Sequence, residues 1–464
     1  MPSISIVQRL RFDRVAGYTA STIMLLWVAL ANAFPLMFAD SGTYLRIGTE
    51  YYVPYDRPVT YGLAILPLHS LLGLWSVAIA QCLFATWIFD RVLRAIFARP
   101  APWLLPATVA ALASLTSLPW FTGQVMPDMF AGLVILIAWL LLFARDGLAR
   151  WERYALPALV TLIVAFHLSF VPTLGAVTIV GALTGWLLLR KPRIWKSGAI
   201  ILGAIVVAVL GLSGFNLLTQ GQFRPSTSSN AFLLARLLDG HMAQPTIIEM
   251  CKTREMILCR QDHVLDPAAV MPGQYYLWTV YPALKPAEIA RMPAEETEVF
   301  RRTLQDNPAG VARMALNGFG QLLLLARAGD GMDRYGDEMQ ISQQIAKHFP
   351  RSEAAWQASR QQHGTLRSLA RIPDRAIGLI GALLNIVIVT TATRRRQPMI
   401  AGLATMMLAT LILNALFCSV LSGVVERYQA RVMWMPMLTL AVALIWWIGQ
   451  RAAKEGQPWS SAGR

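Results

Sequence analysis

Long apolar runs alternate with short polar segments through most of this chain of 464 residues. Runs that are long enough, or nearly so, to cross about 30 Å of hydrocarbon predict ten membrane-spanning helices. The predicted spans are 16–38, 75–97, 103–119, 127–144, 154–169, 171–189, 198–218, 375–393, 399–418 and 432–450. The runs at 103–119 and 154–169 are short, so either of them is also compatible with a tilted or re-entrant path.

Two polar stretches interrupt this pattern and define the predicted domains. Residues 39–74 form the first outer loop, and its apolar end, 63–74, predicts a short helix in the membrane interface. Residues 219–373 are too polar to span a membrane, yet they contain helix-like stretches at Pro293–Asp306 and Ala309–Ala326, of which the second could lie along the membrane surface. We therefore predict an N-terminal transmembrane module, a sizeable outer domain and C-terminal transmembrane helices. Their boundaries are 1–218, 219–373 and 374–464.

The composition excludes most soluble proteins. Apolar residues make up 55% of the chain and charged residues only 14%, whereas an ordinary soluble domain has about 25% charged residues. The 41 Lys and Arg against 26 Asp and Glu give a net charge of +15, which on a soluble protein would suggest nucleic acid. The long stretch 219–373 nevertheless has 17 basic and 15 acidic residues, so the excess lies between the spans. We predict an all-α polytopic membrane protein with no nucleic-acid partner.

The positions of the basic residues predict the orientation. With the N-terminus inside, nineteen basic residues fall in inner segments and only five in short outer ones. The five outer residues are Arg46, Arg57, Arg375, Arg427 and Arg431. This predicts a multi-pass protein of a bacterial inner membrane with both termini cytoplasmic. An alternative is that 9–33 is a signal peptide cleaved near Ala31-Asn32-Ala33, which would remove the first span but keep the orientation.

The four cysteines divide by compartment. Cys82 and Cys418 lie in predicted spans, where they are most simply small apolar fillers. Cys251 and Cys259 flank seven residues of the outer segment, which would be periplasmic and oxidising, so we predict a disulfide; the alternative is two free thiols. No zinc-type spacing, Walker loop, nucleotide-binding GxGxxG, HExxH or GxSxG motif occurs. Any energy would then arrive in an activated lipid or a gradient.

The first outer loop gathers acids, arginines and tyrosines next to the membrane. Its polar and aromatic candidates are Asp40, Tyr44, Arg46, Asp56, Arg57 and Tyr61. Carboxylates at a membrane surface are costly unless they are solvated or paired. One interpretation is purely structural: Asp40 caps an interfacial helix, and Asp56 pairs with Arg57.

Later outer turns add four more candidates. Asp128 follows a proline at the start of a predicted span, His167 stands near the third outer turn, and Arg427 and Arg431 lie in the last outer loop. Each has a structural explanation by itself: a helix cap, a satisfied interface histidine, or arginines that reach lipid phosphates. Because the other short outer turns are nearly uncharged, the convergence of acids and arginines on one face favours a functional site.

In chain order, these features resemble the GT-C membrane glycosyltransferases, the group that includes bacterial aminoarabinose transferases and protein O-mannosyltransferases. Asp40, with Tyr44 behind it, lies after the first span, where that family has its catalytic aspartate. The stretch Asp56-Arg57-Pro58-Val59-Thr60-Tyr61-Gly62 is similar to the family's acidic-basic-proline motif, although Val59 and Gly62 replace its usual later prolines. Met126-Pro127-Asp128 is similar to its Pro-Asp pair at the fourth span.

The resemblance implies a GT-C-like fold and an inverting glycosyltransferase (EC 2.4 type). The donor would be a polyprenyl-phosphate-linked sugar drawn from the membrane lipid, and the acceptor an envelope glycan, lipid or protein on the periplasmic face. Asp40 would be the catalytic base. The residues that would bind the phosphate are Arg46, Arg57, Arg427 and Arg431. The residues that would bind the substrate are Asp56, Asp128, Tyr44, Tyr61 and His167. No cofactor is required, and a divalent metal is compatible with such a site.

Two other function classes compete with this one. A membrane transporter or lipid flippase of cell-envelope precursors would place ionisable groups at mid-membrane, whereas here the mid-span polar residues are mainly Asn216, Asn385 and Asn414. A non-catalytic assembly partner in envelope synthesis is the third class. Substitution of Asp40 discriminates between them, because a scaffold should tolerate that change.

Overall fold

The computed structural model describes residues 6–98, 100–370 and 374–454. Within those ranges every regular element is a helix, and the only β-type pairing is one isolated parallel bridge between Leu36 and Gln124. The all-α fold class is therefore confirmed. Of the nineteen basic residues assigned to inner segments, Arg99 and Arg464 lie outside the described residues, as do 371–373 and 455–464 of the predicted domains.

The N-terminal module consists of ten helices. They are α1 (Ile6–Asn32), α2 (Ala39–Glu50), α3 (Thr60–Leu72), α4 (Leu74–Ile96), α5 (Leu104–Leu115), α6 (Leu118–Thr122), α7 (Phe130–Phe143), α8 (Glu152–Phe166), α9 (Phe170–Leu189) and α10 (Arg193–Gln220). Short 3₁₀ turns at Pro127–Met129 and Arg145–Gly147 flank α7.

The outer segment and the C-terminal part complete the fold. The outer helices are α11 (Ser229–Asp239), α12 (Ala243–Cys251), α13 (Asp262–Leu265), α14 (Pro272–Tyr275), α15 (Tyr281–Ala283), α16 (Pro286–Asp306), α17 (Pro308–Leu324), α18 (Gln340–His348) and α19 (Pro350–Gln357), with 3₁₀ turns at Ile257–Arg260 and Leu366–Leu369 and a π-helical turn at Tyr276–Val280. The last four helices are α20 (Asp374–Arg394), α21 (Pro398–Leu421), α22 (Glu426–Ala430) and α23 (Met435–Lys454).

Seven of the described helical segments are long and apolar enough to cross a membrane. They are Asp13–Asn32, Leu74–Ile96, Phe170–Leu189, Arg193–Gln220, Arg375–Arg394, Pro398–Leu421 and Glu426–Arg451. The runs predicted at 103–119, 127–144 and 154–169 form the shorter helices α5, α7 and α8, so ten spans remain a prediction. A multi-pass membrane protein requires only the seven.

The centre of the molecule is α7. All fourteen of its residues are buried, and it packs against α4, α8, α9, α10 and α21. A helix enclosed by protein does not have to match the thickness of the lipid, which explains how α7 can be short. Trp434 lies directly against Gly132 at its start, where a side chain would collide with the indole ring.

The end of α1 is joined to the outer segment. Leu25, Val28 and Ala29 are completely buried in the main core, and the Asn32 side chain accepts a hydrogen bond from the Gln361 backbone N–H at 2.8 Å. Cleavage near Ala31-Asn32-Ala33 would remove these contacts. The packing therefore favours α1 as an integral part of the fold.

The outer segment contains two packing units rather than one. Helices α11–α16 enclose a separate core that includes Leu238, Ile247 and Tyr276, whereas Tyr335 and Trp356 belong to the main core. The second unit therefore covers the membrane module directly. The predicted helices at Pro293–Asp306 and Ala309–Ala326 are confirmed as parts of α16 and α17.

The cysteines lie as their compartments predicted. Cys251 and Cys259 are joined by a disulfide, with a Cα–Cα distance of 5.8 Å, so the outer segment contains the predicted cross-link. Cys82 and Cys418 are free and buried. Their burial agrees with their prediction as apolar fillers.

Candidate active site

Asp40 lies in the first turn of α2, at the end of the membrane module that the sequence predicts to be the outer one. The side chain of Ser41 explains the placement: its hydroxyl accepts a hydrogen bond from the Phe38 N–H at 2.9 Å and donates one to the Val125 carbonyl at 2.9 Å. The parallel bridge at Leu36 holds the same two segments together. A carboxylate in a first helical turn is also favoured by the helix dipole. These contacts fix Asp40 beside the loop that leads to Asp128.

Arg57 is the first cationic partner of Asp40. It lies in the loop between α2 and α3, and its Nη1 is 2.9 Å from Asp40 Oδ1, while its Nη2 contacts the carboxylate of the adjacent Asp56. Burial opposes the charge of Arg57, but Asp40 and Asp56 outweigh it and raise the pKa of the guanidinium well above its usual value. Arg57 therefore stays cationic between two carboxylates.

Two further arginines come from α22 and the residue that follows it. Arg431 Nη1 lies 2.9 Å from Asp128 Oδ1, and its Nη2 donates to Ser169 Oγ at 3.1 Å and to Asn414 Oδ1 at 3.3 Å. Asp128 and Arg431 are both about 1% exposed or less as whole residues. A buried ion pair whose arginine is also held by Ser169 and Asn414 is a fixed part of the structure.

Arg427 lies between the two carboxylates without being bonded to either. Its Nη2 is 3.9 Å from Asp40 Oδ2 and its Nε is 3.7 Å from Asp128 Oδ2, both too long for a hydrogen bond. The guanidinium stacks on Phe38 at 3.8 Å from the ring centroid. Its Nε and Nη1 are buried and, among the described residues, neither has a hydrogen-bond partner; the same holds for Asp128 Oδ2.

The structure thus forms an alternating series of charges across the outer end of the membrane module. In spatial order the members are Asp56, Arg57, Asp40, Arg427, Asp128 and Arg431. We call these six residues the outer cluster. Its members come from four separate parts of the chain, and Asp40 is its most accessible carboxylate, with 24% of the side chain exposed. An anion that reached Arg427 would meet donors that the protein leaves unused.

Four other predicted site residues lie outside the cluster. Arg46 forms an ion pair with Glu50 at 2.8 Å. Tyr44 and Tyr61 are buried beneath the cluster and contact each other edge to face, so in this structure no substrate reaches them. His167 is half-buried and shares a 2.8 Å hydrogen bond with Ser169, the serine that Arg431 binds.

The helix-cap interpretation is wrong for Asp40, because Phe38 is the N-cap of α2 and Ser41, not Asp40, bonds to its backbone. Asp128 does lie in the first turn after Pro127, as the helix-start interpretation predicted. Asp40 and Asp128 both face arginines, because the loops bring α22 against both helix starts. The predicted pairing of Asp56 with Arg57 is present.

Sequence reasoning missed several residues that shape the cluster. Asp330 accepts a hydrogen bond from the Arg427 backbone N–H at 3.3 Å. The left-handed backbone at Gly331 lets the chain pass against Phe38, where a side chain would strike the ring. No motif marked Asp330, since it lies in the long outer segment. Asn414 was visible only as a mid-span amide, yet it binds the backbone of α22 and accepts from Arg431.

A narrow groove begins at Arg57 and runs between the α2–α3 loop and the end of α10. Its lining includes Tyr55, Arg57, Val59, Leu168, Leu212 and Phe215. Nearby residues of α10, including Leu210 and Leu218, are exposed. The groove therefore leads from the Arg57 guanidinium to an apolar face of α10. Within the described part of the chain, no three His, Cys, Asp or Glu side chains are grouped so as to hold a metal ion.

Comparison with known proteins yields a distant similarity in structure. The chain is similar to the crystal structure of ArnT from Cupriavidus metallidurans in the apo state, with 13% identity over 88% of this chain and 77% of that one and a TM-score of 0.31. No protein-family model and no curated protein matches the chain. At that distance residue roles do not transfer, so the arguments that follow rest on the geometry of this chain.

Proposed function

We propose that this protein is a polyprenyl-phosphate-sugar-dependent glycosyltransferase that works at the outer face of a bacterial inner membrane. The observation that supports it best is Arg427, a buried guanidinium with two unpaired nitrogens beside the most accessible carboxylate of the cluster. Buried donors are normally satisfied, so a deficit at this point indicates an anionic ligand. A phosphate linked to a lipid is such an anion, and it would reach the cluster at the height of the membrane surface.

The reaction would be a single displacement at the anomeric carbon. The acceptor hydroxyl attacks that carbon and forms the new glycosidic bond, while the bond from the carbon to the phosphate oxygen breaks with its electron pair. Asp40 takes the hydroxyl proton through Oδ2, to which no described residue donates a hydrogen bond. The products are a glycosylated acceptor with inverted configuration and polyprenyl phosphate.

Arginines stabilise the charge that develops on the leaving phosphate. Arg427 has free donors, and Arg57 lies at the head of the groove, so these two would contact the phosphate directly. Asp128 and Arg431 are buried and bonded to each other, which makes them positioning residues for Arg427. The exposed apolar residues of α10 near the groove, Leu210 and Leu218, would contact the first isoprene units of the lipid. No step requires a cofactor.

A transporter or flippase has less support from the structure. The intramembrane amides are used within the fold: Asn385 donates to the Gly381 and Pro436 carbonyls, and Asn414 donates to the Tyr428 carbonyl and the Gln429 side chain. Transport pathways usually leave such groups facing a cavity. The open polar chemistry of this chain lies at the outer surface, where a transferase would need it.

Native mass spectrometry of the gently purified protein tests the proposal. We expect a sugar-bearing polyprenyl phosphate to accumulate on Asp40→Asn but not on the wild type, because the variant keeps the arginines and loses the base. Asp333→Asn is a matched control, since Asp333 is a carboxylate paired with Arg367 and with no member of the cluster, and it should behave as the wild type. Absence of any polyprenyl lipid from both proteins would contradict the donor assignment.

A further inference from the structure

A sizeable cavity lies outside the outer cluster. It has a volume of about 610 Å³ and lies between α11 and the N-terminal two thirds of α17. Val424, just before α22, lines its inner wall, so only a few residues separate it from Arg427. The C-terminal end of α17 packs on Ala415 and Cys418 of α21, which places the cavity at the outer end of a membrane span.

One wall of the cavity contains a buried arginine that forms no direct ion pair with any described residue, although Asp239 of the same lining interacts with it at longer range. Arg236 is 7% exposed, its Nε donates to the Ser419 carbonyl at 2.6 Å, and among the described residues no carboxylate lies within ion-pair distance of it. Gly318 makes room for the guanidinium, because a Cβ there would lie 2.6 Å from Arg236 Nη2. A buried cation held only by carbonyls retains a charge that an anion can satisfy.

The opposite wall carries polar side chains on one face of α17. Arg313 is exposed and forms no ion pair with any described residue, and Asn317 and Gln321 follow at helical spacing. Asp239 is the only carboxylate of the lining, and it accepts a hydrogen bond from the Gly273 N–H at 2.8 Å. The lining therefore has a net positive charge together with several amide groups.

We infer that this cavity binds an anionic saccharide, in which the arginines hold a phosphate or carboxylate and the amides bind sugar hydroxyls. Two arginines match the anion, amides both donate and accept, and the volume suits one or two sugar rings. The inference rests on the proposed function for its biological role, because an anionic saccharide beside Arg427 would be the acceptor. Sugar transfer and saccharide binding are nevertheless separable by experiment.

Equilibrium dialysis of the full-length protein in phosphatidylcholine nanodiscs tests the inference, with labelled glucose 6-phosphate as the probe. We expect binding to the wild type and about tenfold weaker binding to Arg313→Ala, the loss expected when one charge-assisted contact is removed. Arg313 is chosen because it is exposed and makes no contact that folding needs, whereas Arg236 joins α11 to α21. Arg351→Ala, an exposed arginine on α19 outside the cavity, should bind as the wild type does.

Competing probes identify which part of the ligand matters. Inorganic phosphate should bind more weakly than glucose 6-phosphate, and Asn317→Ala should reduce this difference. Equal binding of the two probes, or equal binding by the wild type and Arg313→Ala, would overturn the inference. So would loss of glucose 6-phosphate binding in phosphatidylglycerol nanodiscs with an Arg313-dependent uptake of that lipid, because the occupant would then be a lipid headgroup. Asp40→Asn should bind the probe normally, so a failure here is distinct from a failure of the transferase proposal.

Discussion

Two carboxylate–arginine clusters lie at opposite ends of the membrane module, and they differ in how completely they are paired. At the predicted inner end, Asp90 accepts from Tyr18, Arg91 and Arg94 at 2.7–2.9 Å. Arg91 also reaches Glu152, whose second oxygen accepts the Ala149 N–H. Every carboxylate oxygen of this inner cluster has a hydrogen bond.

The outer cluster uses the same residue types but leaves bonds unmade. Asp128 Oδ2 and two nitrogens of Arg427 are buried without partners among the described residues, and the ion-pair distances to Arg427 are 3.7 and 3.9 Å. Buried charged residues alone therefore do not identify a binding or catalytic site. The inner, structural cluster satisfies every carboxylate oxygen and leaves only Arg91 Nε without a partner among the described residues, whereas the outer cluster keeps several groups available for a ligand.

We expect the largest effect on stability from a substitution that disrupts the inner cluster. Asp90→Ala would leave Arg91, Arg94 and the more distant Arg14 around a buried position, so we expect the free energy of unfolding to fall by about 3 kcal/mol. Asp40→Ala should cost less than about 1 kcal/mol, because its carboxylate is partly solvated. Apparent unfolding temperatures in detergent, followed by tryptophan fluorescence, check both values. Equal losses from the two variants would remove the distinction between the clusters.

A carboxylate outside both clusters, Glu296, sharpens the comparison, because it is buried and forms no ion pair with a described arginine. Burial raises the pKa of Glu296 to about 7, even though Tyr276 donates a hydrogen bond to it. The folded protein then holds this proton to a higher pH than the unfolded chain, whose value is near 4.5. The stability of the outer core should therefore be greatest below pH 4.5 and fall by about 3 kcal/mol as the pH rises to 7 and beyond.

Glu296→Gln should remove that decline, since the amide still accepts from Tyr276 but does not titrate. The unfolding temperature between pH 5 and 8 is the measurement. Glu298→Gln is the control on the same helix: arginines lower the pKa of Glu298 to about 2, so it stays ionised over this range. A decline that persists unchanged in Glu296→Gln would assign the pH dependence to another group.

We expect the smallest of these effects from a substitution that changes the geometry of the hydrogen-bond donors at Arg427. Arg427→Lys keeps the charge but loses the two unpaired nitrogens, so we expect about tenfold weaker retention of polyprenyl phosphate. The fraction of protein that carries the lipid in native mass spectra gives this value. Arg301→Lys, which changes an exposed arginine of α16 paired with Glu298, should leave retention unaltered. Unaltered retention by Arg427→Lys would show that only its charge matters.

The sequence predicts that the residues of the outer cluster lie close together, and the reason is simple. Asp40, Asp128, Arg427 and their neighbours stand at the outer ends of apolar runs, and alternation of the spans brings those ends to one face. Residue-level partners were harder to predict. Arg46 and Glu50 are spaced as an i, i+4 pair on a helix, and they form that ion pair. Arg46 is therefore directed toward Glu50 and not toward the outer cluster, although both lie near the same loop.

Other features left no signal in a single sequence. A uniformly apolar segment such as α7 looks the same whether it faces lipid or protein, so its complete burial could not be predicted. Asp330 approaches Arg427 across 97 positions of the chain. The division of the outer segment also depends on long-range contacts, because Trp356 and Tyr335 find their partners in the membrane module.

The rate at which polyprenyl phosphate is released tests the central claim most directly. Purified protein would be incubated with the lipid-linked sugar that native mass spectrometry identifies, together with a membrane extract as the source of acceptor. We predict steady release by the wild type and release about a thousandfold slower by Asp40→Asn, with the same amount of lipid bound to both. Release by Asp40→Asn at the wild-type rate would contradict the assignment of Asp40 as the base and, with it, the catalytic role of the outer cluster.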